Sequence, residues 1–535
     1  MYHCRSCFCE YDDVGLKNNK ISDVFQCDRC FDSDGIVTMD INNSNDVMKS
    51  IITQPDGKII VVGYSSNSVM DNFCLVRFNS NGSIDLSFGI NGIVITNFSY
   101  TSIASDVALQ LDGKIVVVGH TWSGTENQFA LARYNGNGTL DTSFGNLGIV
   151  SSSFINKNAI ARTIKIQNDG KIVVAGHIYT LNNDFDEFAI ARYTTYGALD
   201  PTFGNAGQVT TNFGPLTRNW INSIELQDDG KIVAGGFSDY LFALVRYNSN
   251  GTLDFSFGAS GLVTTAIPNA TLGLINAVAI HSDGSIFGGG FSVDTFSNFT
   301  VAKYNSLGNL DNTFGINGII VSQISTQQDG IKDILIQADN KLLVAGNTYE
   351  NSVFQFALAR FDSVGNPDAT FGTNGVVKTL IDPDFNLLES IILQSDGKIL
   401  ATGFIGNYPY DIAVARYSSG VLSEIEQTVS IENISIYPNP TIDKLVISFM
   451  PKNKENVFII GGSFGGFSVM SLVTQYPTVF KAAVNIFGPI EMAKFVDSWP
   501  PLTQNYWMTE LGLSLIHISE PTRLRRISYA VFCLK

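Results

Sequence analysis

The chain has 535 residues, 44% of them hydrophobic and 15% charged, a globular balance with room for several domains. A formal charge of −16 argues against nucleic-acid binding, which needs Lys and Arg against phosphate. No run of about twenty apolar residues is present, so no membrane-spanning helix is expected, and the start lacks the charged-then-apolar pattern of a signal peptide.

Residues 1–30 are Cys-rich. They carry Cys4, Cys7, Cys9, Cys27 and Cys30, five of the seven cysteines of the chain. Two Cys-x2-Cys pairs, Cys4/Cys7 and Cys27/Cys30, stand 19 residues apart, a spacing that fits a four-thiolate zinc site closed by a hairpin. Cys9 is left over. The competing reading is a foreign segment ahead of the first repeat.

From 31 to 419 one unit recurs. An Asp-Gly-Lys turn, or a variant of it, has its Asp at 56, 112, 169, 229, 283, 339 and 396, in steps of 54 to 60 residues. Each unit contains short β-branched or aromatic runs bounded by turn residues. In the first copy these are Ile51–Thr53, Ile59–Val62, Leu75–Phe78 and Ile93–Thr96. Asp56-Gly57 and Asn81-Gly82 read as tight hairpin turns. Four strands per repeat make the blade of a β-propeller, and a period in this range suits blades.

The outer strand, the turn and an Ala-x-Ala-Arg-Tyr strand each occur seven times, but out of step. The chain enters on an outer strand near Gly35 and leaves on a third strand at Tyr417. The expectation is therefore an all-β, seven-bladed propeller of four-stranded blades. Its N-terminal strand completes the last blade and covers what would be two open edges.

The motifs QxDGKIxxxG, A-x-A-R-Y and LDxSFGxxG resemble the delta-60 repeat family, which has no agreed activity. Phe88, Phe144, Phe203, Phe257, Phe314 and Phe371 are expected to pack between blades. Arg77, Arg133, Arg192, Arg246, Arg360 and Arg416 are expected to serve strand and turn contacts, because a feature present in every blade serves packing. Loops at 65–72, 120–128 and 178–187 vary from blade to blade and carry Asn, Asp, Ser, Thr and aromatics, side chains suited to a saccharide or a peptide. A monomer is expected.

Residues 420–449 read as a linker and the start of a second module. Its Tyr437-Pro438-Asn439-Pro440, followed by an alternating strand, resembles the opening of the C-terminal sorting domain of the type IX secretion system. The resemblance implies a Bacteroidetes-like export placed outside the cell or on its surface, with that machinery as partner. The domain stops near Phe449.

Residues 450–512 change character. An apolar strand (457–460) runs into Gly461-Gly462-Ser463-Phe464-Gly465, a G-x-S-x-G turn that exposes a serine between strand and helix. This stretch resembles the catalytic domain of prolyl oligopeptidase-type serine peptidases and would form a truncated α/β-hydrolase fragment. The resemblance implies Ser463 as nucleophile and the Phe464 backbone N–H as an oxyanion donor. In that fold the acid and the histidine follow the serine, and only Glu491, Asp497, Glu510, Glu520 and His517 do so here, so a working triad is not expected. The propeller is accordingly read as a non-enzymatic binding or scaffold module, without a cofactor unless zinc sits at the N-terminal cysteines. The alternative is a peptidase gated by its propeller.

Residues 513–535 read as foreign. Codons for LSLIHISEPTR (513–523) spell a common transposase sequencing adapter, and those for ISYAVFCLK (527–535) resemble its flow-cell end. His517 then falls in that tail, and the chain reads as a chimaera.

Overall fold

The structure is a computed structural model. It describes Asp28, residues 31–418 apart from positions 33, 68, 181–182 and 216, and five short strands further on. The chain divides into two units at Val421/Leu422.

The first unit is the expected ring of seven four-stranded antiparallel sheets. In blade 1 the strands run Asp46–Thr53, Ile59–Ser66, Asp71–Phe78 and Ile93–Thr96, from the axis outwards. Blades 2 to 6 repeat this order. Blade 7 takes Asn386–Leu393, Ile399–Ile405 and Asp411–Tyr417, and its outer strand is Ile36–Met39, with Ile36 opposite Ala415 and Met39 opposite Ile412. The seven inner strands contact one another in a closed circle.

Second and third strands are apolar on both faces because a neighbouring blade covers each side. Ile60, Val62, Phe73 and Leu75 pack with blade 2, whereas Ile59, Val61, Cys74 and Val76 face blade 7. Cys74 is a free, fully buried thiol, and burial raises its pKa. No residue of the described part forms a disulfide.

Every inner strand carries a β-bulge, in blade 1 between Met48 and Ser50. The bulge pushes the inner backbone towards the second strand. Gly63 faces it there, and a Cβ at Gly63 would lie 1.9 Å from the Val47 carbonyl oxygen. Gly119, Gly176, Gly236, Gly290, Gly346 and Gly403 meet the same close approach.

Three expectations are corrected. The loops at 65–72, 120–128 and 178–187 are mostly strand: Ser65 pairs with Asn72, His120 with Phe129, and Ile178 with Glu187. Strand pairing continues through polar sequence there, in register at the first two and with one irregularity after Tyr179 at the third. The Asp-Gly-Lys turn is not a two-residue turn with two positive φ values. The Gly57 amide donates to Gln54 O, only Gly57 is left-handed (φ 81°), and Asp56 Oδ1 accepts from the Lys58 amide. The propeller also begins before residue 31. Asp28 donates its amide to Arg416 O and pairs with the Arg416 guanidinium at 3.0 Å, as Asp85 does with Arg77 in blade 1.

In the second unit, Ser435–Pro438 pairs antiparallel with Leu445–Ser448. Val457–Gly461 pairs in parallel with Phe480–Asn485, which requires a crossover between them, as in an α/β fold. Ala530–Cys533 lies antiparallel to Phe480–Asn485. No helix among the described residues is long and apolar enough to cross a membrane.

Candidate functional site in the central channel

Two faces of the ring differ in kind. On one, the turn face, the repeated motifs lock each blade to the next. The Arg77 Nε donates to Asp85 Oδ2 at 2.8 Å, Lys58 pairs with the same oxygen at 3.0 Å, the guanidinium lies 4.4 Å over the Phe88 ring, and Nη1 donates to Gly136 O of blade 2. Burial opposes ionisation of Asp85, but Ser87, Lys58 and Arg77 outweigh it and hold the carboxyl far below the usual range. Blades 2, 3, 4 and 6 repeat the stack through Phe144, Phe203, Phe257 and Phe371, and blade 7 does so through Arg416 over Phe31 at 4.7 Å. Blade 5 substitutes Lys303, which pairs with Asp311 at 2.9 Å and faces Phe314. These arginines and phenylalanines therefore do what was expected of them.

The other, loop face opens onto the channel, and its residues differ from blade to blade. The bulged residue of each inner strand lies on the channel wall: Lys49, Arg162 and Lys332 are cationic, Glu389 is acidic, and Ser105, Asn222 and Asn276 are neutral. The two asparagines bond the neighbouring inner strands, Asn222 Nδ2 to Ile275 O at 2.8 Å and Asn276 Nδ2 to Ile331 O at 2.7 Å.

The charges are unevenly shared. Around blades 6, 7 and 1, Glu389 bridges Lys49 at 2.7 Å and Lys332 at 3.0 Å. Burial disfavours its charge, yet the two lysines bring its carboxyl down to about 2. Asp333, deeply enclosed beside them, is instead raised to about 6 by burial, although Ser390 and the Ile391 and Ile334 amides donate to it.

Blades 2 to 4 have no such balance. Arg162 makes no hydrogen bond or ion pair among the described residues; it is exposed to solvent, and Glu389 acts on it at longer range. The acids nearby on these inner strands are engaged elsewhere. Asp106 accepts from Ser50 and from the Ile164 and Val107 amides, and Glu225 pairs with Lys165. One step towards the loop face stand His120 and His177, whose pKa values are lowered to about 4 and about 3 by burial and by Arg162. The His120 Nδ1, His177 Nδ1 and Trp220 Nε1 atoms are buried without a hydrogen-bond partner. From His177 an aromatic row leads outwards through Trp220 (6.2 Å), Phe237 (5.0 Å) and Tyr240 (5.8 Å), and Tyr240 is half exposed on a loop-face hairpin.

Sequence reasoning missed this cluster. A signal for it exists: the bulged residue stands five places before the repeated Gln or His of the turn (Lys49 before Gln54, Arg162 before Gln167, Asn276 before His281) and varies in kind from blade to blade. Ser463, Phe464, Cys4, Cys7, Cys27 and Cys30 lie outside the described residues, and no metal-ligating cluster is found among the described ones.

Comparison with known proteins defines the class first. The family model described as domain of unknown function (DUF5122) beta-propeller matches seven times, at 54–88, 110–144, 167–203, 227–257, 281–314, 337–371 and 394–420. The first unit is thus a β-propeller of that repeat type. The prolyl oligopeptidase family model matches residues 444–513. No curated protein matches the chain. Among solved structures the chain is similar to an inactive virginiamycin B lyase variant from Staphylococcus aureus (13% identity, 71% of this chain, 98% of that one, TM-score 0.40). It is similar also to Sqt1 from Chaetomium thermophilum (12%, 71% and 96%, 0.40). A third is acylaminoacyl peptidase from Pyrococcus horikoshii (11%, 78% and 60%, 0.37).

Proposed function

We propose that the propeller is a non-enzymatic binding module of an exported or cell-surface protein, which takes a saccharide or peptide ligand at the loop-side mouth of its channel. The observation that carries this reading is the segregation of sequence. Residues repeated in every blade sit on the turn face, whereas the polar and aromatic residues that differ gather around one mouth. Packing explains the first set and not the second. Glycan and peptide arrays probed with the full chain test it. Retention of particular saccharides or peptides supports the reading, and an empty pair of arrays overturns it.

Export rests on the Tyr437-Pro438-Asn439-Pro440 resemblance to a type IX sorting domain, supported by the hairpin of Ser435–Pro438 with Leu445–Ser448. The foreign character of 1–30 and 513–535, and hence a chimaeric chain, rests on the cysteine run and on the adapter-like codons. Polymerase amplification across 449–454 from source DNA tests it, and a clean product overturns it. Zinc at Cys4, Cys7, Cys27 and Cys30 is proposed on spacing alone, and metal analysis of the purified chain decides it.

A second reading has its own support. The peptidase-family match and the parallel pairing of Val457–Gly461 with Phe480–Asn485 suit a hydrolase strand leading to Ser463. Labelling of Ser463 by a fluorophosphonate probe would favour a hydrolase. Absence of labelling would favour the non-enzymatic reading.

A further inference from the structure

The seams between blades are closed by a recurring set of bonds, and one seam lacks most of them. A backbone bond crosses the turn face at six seams: Asp32, Gly89, Gly145, Gly204, Gly258 and Gly315 donate their amides to carbonyls of the next blade at 2.8 to 3.0 Å. A guanidinium reinforces this bond at five of them. Arg77, Arg133, Arg192, Arg246 and Arg416 each carry Nη1 to a second carbonyl of the next blade. The seam between blades 5 and 6 is the sixth, and blade 5 has Lys303 in that position. A lysine presents a single nitrogen where an arginine presents a fork. The Lys303 ammonium goes to Asp311 at 2.9 Å, near the Phe287 and Phe314 rings, and makes no bond to blade 6 among the described residues.

Two further departures fall on the same seam. In blades 1, 2, 4 and 6 the side chain just after the bulged residue reaches the next blade: Ser50 bonds Asp106, and Asp106, Ser223 and Asp333 accept from the Ile164, Val278 and Ile391 amides. Ala277 holds that place in blade 5 and has no polar atom to offer. The second strand of blade 5 also runs Gly288-Gly289 into the close-approach Gly290, where blade 1 has Val61-Val62 before Gly63. Gly289 faces blade 6, since a Cβ there would lie 3.2 Å from Ile334 Cδ1 and 3.5 Å from Ile331 Cγ2. Glycine in a strand interior has no side chain to pack and loses the most backbone freedom on folding. The side-chain bonds left across this seam are Asn276 Nδ2 to Ile331 O at 2.7 Å and, on the turn face, His281 Nε2 with Asn340 Oδ1 at 2.9 Å.

In a ring of repeats each blade leans on its two neighbours, so one seam can part while the rest stays a folded arc. The junction of the two chain ends is the obvious place for that. Here it is well closed, by the Asp32 bond, the Arg416 guanidinium on Ser80 O and the pairing of Ile36–Met39 with blade 7. We infer that the ring is built to open between blades 5 and 6, in the middle of the chain, parting the inner strands Leu272–Ile280 and Asp329–Ile336 ahead of global unfolding. This goes beyond the binding-module reading and does not depend on it.

Hydrogen exchange of the full chain in low guanidinium, read by mass spectrometry with residue-level fragmentation, tests it. The six backbone bonds are alike and report their seams one by one. Corrected for intrinsic rates, the Gly315 amide should exchange about tenfold faster or more than those of Asp32, Gly89, Gly145, Gly204 and Gly258, the worth of one hydrogen bond from a charged group. Lys303→Arg returns a guanidinium within reach of the Ser363 carbonyl, which stands where Ser306 does one blade earlier. It should slow Gly315 by a comparable factor and leave the other five amides unchanged, and Ala277→Ser should slow Gly315 less. Arg246→Lys is the reciprocal variant and should make Gly258 a second fast amide. Exchange of Gly315 in step with the other five, or Asp32 opening first, overturns the inference. So does a Lys303→Arg chain whose Gly315 exchanges as before, or an Arg246→Lys chain whose Gly258 does.

Discussion

The two faces of the ring share strands, bulges and blade count, yet they are built on opposite rules. On the turn face one arrangement recurs around the circle: a basic side chain, an aspartate and an aromatic ring, joined in blades 1 to 4 and 7 by a carbonyl of the next blade. At the loop-side mouth the residue after the close-approach glycine varies around the ring: Tyr64 in blade 1, His120 and His177 in blades 2 and 3, Phe237, Phe291 and Phe404 in blades 4, 5 and 7, and Asn347 in blade 6. Repetition marks what holds the ring together. Departure from repetition marks where the molecule can tell one ligand from another. The charge pattern repeats the lesson within the channel, where Glu389 bridges Lys49 and Lys332 directly and acts on Arg162 only at longer range.

The largest expected effect comes from breaking the shared framework. Gly176→Val places a Cβ 1.9 Å from Ile160 O at the blade 3 bulge, so the inner strand must move. Guanidinium unfolding should show a loss of about 3 kcal/mol or more, or no folded propeller. Next stands the turn face. Arg246→Met leaves the buried Asp254 with Ser256 as hydrogen-bond donor and Lys231, 3.9 Å away, as its cation, and should cost about 3 kcal/mol, whereas Arg246→Lys should recover part of it, as Lys303 does naturally in blade 5. A null effect of Arg246→Met would dissolve the contrast between the faces.

Acid offers a third probe. The native pKa of His177 lies below its unfolded value of about 6.5, so the unfolded chain binds the extra proton first. Stability from this group is present above pH 6.5 and falls as the pH drops towards 3. By pH 5 the loss is about 2 kcal/mol, and His177→Phe should flatten that part of the stability curve. Asp333 runs the other way: raised to about 6, it costs stability as the pH climbs past 4, so Asp333→Asn should gain most at neutral pH relative to pH 4. Smallest of all is the loop rim. Tyr408→Ala, at a side chain 75% exposed, should shift stability by less than about 0.5 kcal/mol. If it costs as much as Arg246→Met, the loop face is framework after all.

The Asp28–Arg416 pair sharpens the reading of the N-terminal cysteines. Asp28-x-x-Phe31 repeats Asp85-x-x-Phe88, with Lys398 at 3.2 Å from Asp28 as Lys58 is near Asp85. Two residues between Cys27 and Cys30 thus compete for two explanations, thiolates for zinc and a turn for blade 7. Cys27→Ser with Cys30→Ser should leave the melting temperature unchanged in chelator if the turn matters and zinc does not.

Much of the architecture was legible in order along the chain. Blade number, strand count, closure by Ile36–Met39 and the packing roles of Arg77 and Phe88 all follow from recurrence, because a repeated neighbour imposes a repeated contact. The same logic hid the channel. Lys49, Arg162 and Glu389 each look like one polar residue in an apolar strand, and 8-residue strands such as Asp46–Thr53 gave no sign that polar ends stay paired. Sequence alone determined the blade, its glycines and its turn, since these depend on contacts within about sixty residues or with an identical neighbour. Only the closed ring decided which single residues meet, because Glu389 reaches Lys49 across 340 positions and Arg162 stays unpaired through what six other blades place around it.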